Sequence, residues 1–259
     1  MARKISTDDR IVLWQGASLW AYDIPSQRGP RTNQMHSHHA FQLTLATGGI
    51  ANIRTKDALF EGPVVLIAPD HPHAIEPEGR VALIFVEPES RAGAGLSRLL
   101  GDRNIARLAP MPEAVADLAA MWDRPPPTNG EVREIADRVL EGMLGPQQPD
   151  ETLDQRIRNV LDWLAGTEGD SPTLAKAASV ACLSESRFSH LFVEETGLPF
   201  RTYVLWRRLM LAVELKATGA SLTQAAHEAG FADSAHFSRT FLRMFGIPAD
   251  TMWLRSRPE

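Results

Sequence analysis

The sequence has 259 residues and a net charge of −5 at pH 7. It contains one cysteine, which excludes an intrachain disulfide, and it has no run of about 18 apolar residues, the length that a helix needs to cross a bilayer. We therefore expect a soluble cytoplasmic protein that is long enough for two domains. A disulfide-stapled secreted protein and a helical membrane protein are excluded.

The first 90 residues contain short runs of β-branched and aromatic residues. Gly and Pro turns such as Gly48-Gly49 and Gly62-Pro63 separate these runs. Short strands at this spacing are typical of a small β-barrel. The predicted strands are Ile11–Trp14, Ser18–Tyr22, Phe41–Ala46, Val64–Ala68 and Val81–Glu87.

Two histidine-rich segments fall within the predicted barrel. They read His36-Ser-His38-His-Ala-Phe-Gln42 and Ile67-Ala-Pro-Asp-His-Pro-His73. They resemble the two half-motifs of a cupin, whose metal is held by His-x-His, a carboxylate four residues on and a later His. Alternation along a strand puts His36 and His38 on one face, which suits two neutral imidazole ligands of a transition metal. Gln42 stands at the carboxylate position and is a weaker, neutral ligand.

Three interpretations of His36, His38, Gln42 and His73 stay open. They form a site for a divalent transition metal, they line a polar pocket for an organic effector, or they are structural histidines that bond to the backbone. Trp14 and Trp20 are also expected to point into the barrel. A cupin-type metalloenzyme with an appended helical domain is the alternative function. It needs a complete ligand set and an acid or base, and Gln42 argues against it.

Helical periodicity replaces the strand pattern near Leu96 and continues in Pro112–Trp122 and Glu131–Leu144. A polar, Pro-rich stretch follows at residues 145–150, and we place a domain boundary there, between residues 148 and 149. The last of these helices has a strong apolar stripe, which either forms a dimer contact or packs against its own barrel. The stripe consists of Val132, Ile135, Ala136, Val139, Leu140 and Met143.

A diverged internal repeat occupies the C-terminal part of the chain. Leu174-x-x-Ala-Ala178 and Phe188-Ser-x-x-Phe192 return 48 or 49 residues later as Leu222-x-x-Ala-Ala226 and Phe237-Ser-x-x-Phe241. Each copy reads as two short helices separated by a polar break, the pattern of a helix-turn-helix. Cys182, at the position of Gly230 in the second copy, is expected to be a small packing residue. Two such units predict a bipartite reader of DNA.

The segment between the two copies, Phe200 to Ala217, contains no Gly or Pro and is predicted to be one continuous helix. Its 18 residues at about 1.5 Å each give a spacer of roughly 27 Å. A rigid spacer of this size suits two recognition helices in successive major grooves, which are about 34 Å apart. A further helix is predicted to open the DNA-binding domain, with its apolar positions at Leu153, Ile157, Val160, Leu161 and Leu164.

The repeat resembles the AraC/XylS family of bacterial transcription regulators. The resemblance lies in Leu183-Ser-Glu-Ser-Arg-Phe-Ser-His-Leu-Phe192, Glu195-Thr-Gly197, and Gly230-Phe-Ala-Asp-Ser-Ala-His-Phe-Ser-Arg-Thr-Phe241 with Phe245-Gly246. The family's final Ser-Pro-x-x-aromatic-Arg pattern is shifted here to Ile247-Pro248 with Trp253.

This resemblance implies an α+β fold. Residues 1–148 would form a cupin-like, effector-binding and dimerising β-barrel followed by helices. Residues 149–259 would form an all-α DNA-binding domain with two helix-turn-helix units joined by a long helix. The implied function is sequence-specific transcription regulation and not catalysis. The implied partners are double-stranded DNA, a small-molecule or metal effector, RNA polymerase and a second copy of the chain.

Sequence readout is expected at the exposed start of the second helix in each unit, where side chains reach base edges. Residues 150–259 hold 12 Lys plus Arg against 14 Asp plus Glu, so DNA affinity must come from local placement of arginines. Arg239 is the best candidate for a bidentate contact to guanine. The serines at 189 and 238 can instead bond to their own helix backbone. The predicted readout residues are Ser186, Arg187, Ser189 and His190 in the first unit and Ser234, His236, Ser238 and Arg239 in the second.

Overall fold

The computed structural model confirms an α+β protein with a sheet-rich N-terminal part and a helical C-terminal part. The chain divides into two compact units, one formed by residues up to 147 together with residues from 238 onward, the other by residues 148–237. The predicted boundary at 148/149, the Gly48-Gly49 turn and Trp253 lie outside the described residues, so the domain division by sequence stays a prediction. The structure describes residues 10–24, 33–47, 50–109, 111–122, 127–145, 153–167 and 172–250.

The described residues of the first unit form eight strands. All five predicted strands are present, although the last of them begins seven residues earlier than predicted. The three additional strands, β4, β5 and β8, are only three to five residues long, and β4 and β5 are partly exposed, so they carry little apolar signal. The strands are β1 (Arg10–Trp14), β2 (Ala17–Ile24), β3 (Phe41–Ala46), β4 (Ile50–Arg54), β5 (Leu59–Gly62), β6 (Val64–Ile67), β7 (Ala74–Val86) and β8 (Ile105–Arg107).

The strands pair antiparallel in the order β1-β2-β7-β3-β6-β8, and β4 pairs with both β5 and β7. Strand β7 has 13 residues and organises the sheet. Its first part pairs with β4, and its second part pairs with β2 and β3. Gly79, between the two parts, has φ +75°, a left-handed conformation that glycine adopts without steric cost. Strands β1 and β8 do not pair with each other among the described residues, so the predicted closure of a barrel is not confirmed.

Three α-helices cover one face of this sheet: α1 (Arg91–Leu100), α2 (Pro112–Ala119) and α3 (Asn129–Leu144). A single 3-10 turn, Ala120–Trp122, extends α2. The apolar stripe of α3 is buried in the same core as the sheet, with Val132 and Ala136 fully inaccessible to solvent. Of the two predicted roles for this stripe, the structure therefore shows packing within the chain. Each buried valine, isoleucine or leucine side chain of the stripe stabilises the fold by about 1.5–3 kcal/mol.

The C-terminal helices match the predicted helix-turn-helix repeat. The spacer helix α7 runs from Phe200 to Ala217, as predicted. The repeated phenylalanines Phe188, Phe192, Phe237 and Phe241 are fully buried, and so are the alanines of the preceding helices. The helices are α4 (Gln155–Ala165), α5 (Leu174–Val180), α6 (Glu185–Thr196), α7, α8 (Leu222–Glu228) and α9 (Ser234–Phe245), of which residues from Ser238 belong to the first unit.

The turns of the two helix-turn-helix units have the same backbone conformation. Cys182 and Gly230 both have positive φ, +54° and +77°. In each turn the next residue donates its N–H to the carbonyl of an alanine five positions earlier, at 2.9 Å in both copies. Cys182 is exposed, so the expectation that it is a small packing residue is wrong. Its position is defined by a left-handed backbone, which disfavours every residue with a Cβ except, more mildly, Asn and Asp.

This shared turn predicts opposite effects of two substitutions. Cys182→Gly should stabilise the protein by about 0.5–1 kcal/mol, because the relief of left-handed strain exceeds the entropy that glycine adds to the unfolded chain. Gly230→Ala should destabilise it by about 1–2 kcal/mol, because the new Cβ is strained and lies 3.2 Å from Arg208 Nε. Urea unfolding measures both. Equal stability of Gly230→Ala and the natural protein would contradict the left-handed backbone conformation at this turn.

Candidate functional sites

Three buried histidines converge in the first unit. One ring nitrogen from each of His36, His38 and His73 lies within 4.8 Å of the others. The ring centroids of His36 and His73 are 4.4 Å apart, and those of His38 and His73 are 5.2 Å apart. The histidines converge as the sequence predicts, but not through strand alternation. His36 forms an isolated bridge with His73, and His38 lies outside the regular strands.

Backbone carbonyls fix the orientation of two of these rings. His36 Nδ1 is 2.9 Å from the carbonyl oxygen of Gln34, and His73 Nδ1 is 2.8 Å from that of His71. A carbonyl oxygen can only accept, so each Nδ1 must carry the proton and donate it. In the neutral rings, Nε2 therefore keeps a lone pair. These two nitrogens can each bind a metal or accept a hydrogen bond.

Gln42, the fourth predicted residue of this site, completes the cluster from β3. Its Oε1 is 3.1 Å from His38 Nε2 and 3.3 Å from His73 Nε2. Its Nε2 donates to the hydroxyl of Thr44 at 2.9 Å. Both Gln42 and Thr44 are fully buried. All four residues predicted for an effector or metal therefore lie together.

The cluster is uncharged at neutral pH. Burial lowers the pKa of His36 to about 4. For His38 and His73, burial and repulsion from the neighbouring rings lower the pKa to about 3 and about 2. Neutral imidazole is the form that coordinates metals and accepts hydrogen bonds.

Aromatic rings border the histidine cluster. Phe85 lies on the same sheet face as Trp20, and its ring centroid is 5.1 Å from that of His38 and 4.9 Å from that of Trp20. The prediction that Trp20 points to this side of the sheet is therefore right. The same prediction for Trp14 is wrong, because Trp14 packs against the core between the sheet and α1 to α3.

The end of α9 also lies at this cluster, which the sequence did not predict. The ring centroid of Phe245 is 4.7 Å from that of Trp20 and 6.0 Å from that of His38. Gln34 donates its backbone N–H to the carbonyl of Gly246 at 2.8 Å, and Asn33 donates its side-chain amide to the carbonyl of Phe245 at 3.1 Å. The sequence shows Phe245-Gly246 only as part of the repeat. Nothing in the sequence indicates that these two residues contact Asn33 and Gln34, which lie more than 200 positions earlier.

A second buried histidine site, also missed by the sequence, lies next to the cluster. His39 Nε2 is 2.5 Å from Glu89 Oε1, and His39 Nδ1 is 3.7 Å from Asp70 Oδ2. The His39 and Glu89 side chains are 2% and 4% exposed. Burial alone would lower the pKa of His39, but Asp70 and Glu89 together outweigh it and raise the pKa to about 9. His39 is therefore a buried cation beside the neutral His38.

The predicted DNA-reading residues of the first helix-turn-helix unit lie in the first turns of α6. Ser184 caps this helix by accepting from the N–H of Arg187. Ser186, Arg187 and His190 are exposed, whereas Ser189 is half-buried and donates its hydroxyl to the carbonyl of Glu185 at 2.8 Å. The alternative role predicted for Ser189, a bond to its own helix, is thus present.

The corresponding residues of the second unit lie in the first turns of α9. Asp233 precedes the helix and accepts from the N–H of His236 at 2.6 Å. Arg239 is exposed, and Ser234, His236 and Ser238 are half-buried. The ring of His236 also packs against Phe231, with centroids 5.2 Å apart. Arg239 is therefore the most accessible of the four.

No helix of the described residues is both long and apolar enough to cross a membrane.

A family model described as a helix-turn-helix domain matches residues 177–252. The HTH-type transcriptional regulator NimR of Escherichia coli is 23% identical over 239 residues, which cover 87% of this chain and 84% of that protein. The arabinose operon regulatory protein of Escherichia coli is 30% identical over 96 residues, 36% of this chain and 33% of that protein.

Solved structures of similar fold include ToxT from Vibrio cholerae. The match to ToxT from strain O395 covers 95% of this chain and 100% of that chain, with a TM-score of 0.61 at 14% identity. ToxT from strain SCE256, with a bound unsaturated fatty acid, gives a TM-score of 0.59 at 13% identity and covers 93% of this chain and 96% of that chain. At these identities the likeness is one of fold.

Proposed function

We propose that this chain is a DNA-binding transcription regulator of the AraC/XylS type. It reads its operator through the first turns of α6 and α9 and adjusts that reading when an effector occupies the histidine cluster. The repeated helix-turn-helix is the observation that supports DNA binding. In both copies two phenylalanines are buried, while the first turn of the second helix presents Ser, His and Arg side chains. Such turns place side chains in the major groove.

The arginines are proposed to divide into two roles. Arg239 is exposed near the start of α9, where its planar fork can bond to O6 and N7 of guanine. Arg201 is exposed at the start of α7, the spacer helix, and is proposed to contact phosphates. A phosphate contact fixes position and carries no sequence information directly.

Replacement of these two arginines tests this division. Arg239→Ala should lose about 1–3 kcal/mol of discrimination at one base position. Arg201→Ala should weaken binding to all sequences alike and reduce the dependence of affinity on salt. The full-length protein is first used to select its operator from random DNA, and each variant is then titrated against single-base variants at fixed salt. An unchanged base preference in Arg239→Ala would remove Arg239 from the readout.

The histidine cluster is the proposed effector site because its polar groups converge in a buried place. One ring nitrogen from each of the three neutral imidazoles lies within 4.8 Å of the others, and Gln42 Oε1 is 3.1 Å from His38 Nε2 and 3.3 Å from His73 Nε2. ToxT, which shares the fold, has been solved with a bound fatty acid, and that supports a ligand-binding role for this chain. An effector changes operator binding only if it binds one arrangement of the protein more tightly than another.

The metalloenzyme alternative has less support. The relatives described above are regulators of transcription, and the neutral amide of Gln42 stands where the cupin ligand set has a carboxylate. Contacts with RNA polymerase and with a second copy of the chain remain part of the proposal. A dimer would need a surface other than the α3 stripe, since that stripe is buried within the chain.

A further inference from the structure

We infer that Arg208 of the spacer helix α7 is a positioning residue for DNA recognition. Its planar guanidinium holds the turn of the second helix-turn-helix unit in place, and this turn sets the start of α9. The effect on DNA rests on the proposed regulatory function. The contact between Arg208 and the turn does not, so the two can fail separately.

The guanidinium of Arg208 lies flat against Gly230. A Cβ on Gly230 would lie 3.2 Å from Arg208 Nε, 3.5 Å from its Cζ and 3.7 Å from its Cδ. The carbons on either side of Nε are thus almost as near as Nε itself, which places this Cβ above the plane of the group. An approach within the plane, along the Nε–H bond, would leave both carbons farther away. The face of the guanidinium therefore packs on the turn.

The first unit shows that the backbone of this turn does not by itself require glycine. Cys182 has the same left-handed conformation, with φ +54°, and carries an exposed side chain. At Gly230 the space that such a side chain needs is taken by Arg208. In the second unit a guanidinium from the spacer helix thus stands where the turn residue of the first unit has its own side chain.

The turn also fixes the beginning of α9. Phe231, the residue after Gly230, is buried and donates its N–H to the carbonyl of Ala226 at 2.9 Å. Its ring centroid lies 5.4 Å from that of Phe237 and 5.2 Å from that of His236, a predicted readout residue. A shift of the turn therefore moves the first turn of α9, where the proposed base contacts lie.

Lysine cannot replace arginine in this role. Arginine presents a rigid planar group that stacks on a neighbouring surface, whereas lysine ends in a compact ammonium group on a flexible stem. Both carry a positive charge, and lysine also contacts phosphates, as a point charge. Arg208→Lys therefore separates positioning from a simple phosphate contact, because only positioning is lost.

Operator binding of the full-length protein tests the role. The natural protein selects its operator from random DNA, and the base position that Arg239→Ala affects identifies the half read by α9. Arg208→Lys is then titrated against single-base variants. We expect discrimination in the α9 half to fall on the order of tenfold and discrimination in the α6 half to stay unchanged. The slope of affinity against salt should also stay unchanged, since no charge is lost.

Arg138→Lys is the matched control. Arg138 lies in an exposed ion pair on α3 with Asp117, at 3.0 Å, so the same substitution there should leave operator binding as in the natural protein. Circular dichroism establishes that each variant is folded. If Arg208→Lys does not fold, Gly230→Ala, which disturbs the same contact from the other side, is titrated in its place.

Urea unfolding tests the contact itself without DNA. Gly230→Ala should lower the urea midpoint less in an Arg208→Ala background than in the natural protein, because the new Cβ then meets no guanidinium. Arg208→Lys takes the place of Arg208→Ala if the latter does not fold. Equal shifts in the two backgrounds overturn the contact.

Two results in the operator titration overturn the positioning role. One is base discrimination in Arg208→Lys that equals that of the natural protein, and the other is a loss of equal size in both halves of the operator. If the natural protein selects no operator, the proposed function fails and the positioning role fails with it. The unfolding comparison still decides whether Arg208 holds the turn.

Discussion

Gly246→Ala should destabilise the protein by about 2–4 kcal/mol, more than loss of a helix-ending glycine alone. A Cβ at this position would lie 2.3 Å from the carbonyl oxygen of Gln34 and 2.6 Å from His36 Nδ1. Gly246 also has φ +70°, which costs a residue with a Cβ about 1–2 kcal/mol. The clash adds an overpacking cost of about 1–3 kcal/mol, because the nearest atom belongs to the backbone and cannot rotate away. Urea unfolding followed by circular dichroism measures the loss.

The repeat supplies a matched control at Gly197. This residue ends α6 as Gly246 ends α9, and it has φ +75°, but a Cβ there would meet nothing within 4 Å. Gly197→Ala should therefore cost only about 1 kcal/mol, the conformational part. The difference between the two variants isolates the close approach of Gly246 to the histidine cluster. Equal costs would show that this approach does not exist in solution.

Glu89→Gln should destabilise the protein by up to about 2–3 kcal/mol at pH 7, because it removes one of the two carboxylates, Asp70 and Glu89, that hold His39 as a buried cation. The estimate follows from the pKa of His39, about 9 in the folded protein against about 6.5 in the unfolded chain. The control is Asp23→Asn, in an exposed pair with Arg80 at 3.2 Å. There the cost should stay below about 1 kcal/mol.

The same pair predicts a pH dependence of stability. Because the pKa of His39 is raised on folding, its contribution is fully present below about pH 6.5 and is lost as the pH rises through about 9. Unfolding free energies measured from pH 6 to pH 10 should therefore converge for the natural protein and Glu89→Gln at the alkaline end. A gap that stays constant across this range would mean that His39 is neutral in the folded protein.

Sequence patterns predicted the elements that have strong periodicity. The bounds of α7 are as predicted because 18 residues without Gly or Pro carry one clear helical stripe. The four residues of the histidine cluster, His36, His38, Gln42 and His73, were predicted because their types and spacing are unusual. Strands β4 and β5 were missed because they are short and half-exposed. Strand β4 is held by pairing with β7, and β5 pairs with β4.

What could not be predicted depends on partners distant in the sequence. His38 and His39 are adjacent and chemically identical, yet His38 is neutral and His39 is charged. The difference arises because His39 contacts Glu89, which is 50 positions further along the chain. The contact between Gly246 and Gln34 joins residues more than 200 positions apart. Local spacing indicates which residues can form a site, whereas the charge on each depends on the folded surroundings.

The bend of β7 at Gly79 bears on the order of folding. A straight strand of 13 residues would be roughly 43 Å long. Yet His73, just before β7, and Phe85, near its end, both lie about 5 Å from His38 by ring centroid. The histidine cluster can therefore form only after β7 has bent and paired with both β3 and β4. Because these pairings join residues distant in the sequence, the entropic cost of loop closure makes formation of the cluster a slow, late step of folding. In a refolding experiment, we expect a ligand of the cluster to slow unfolding and to leave the rate of sheet formation unchanged.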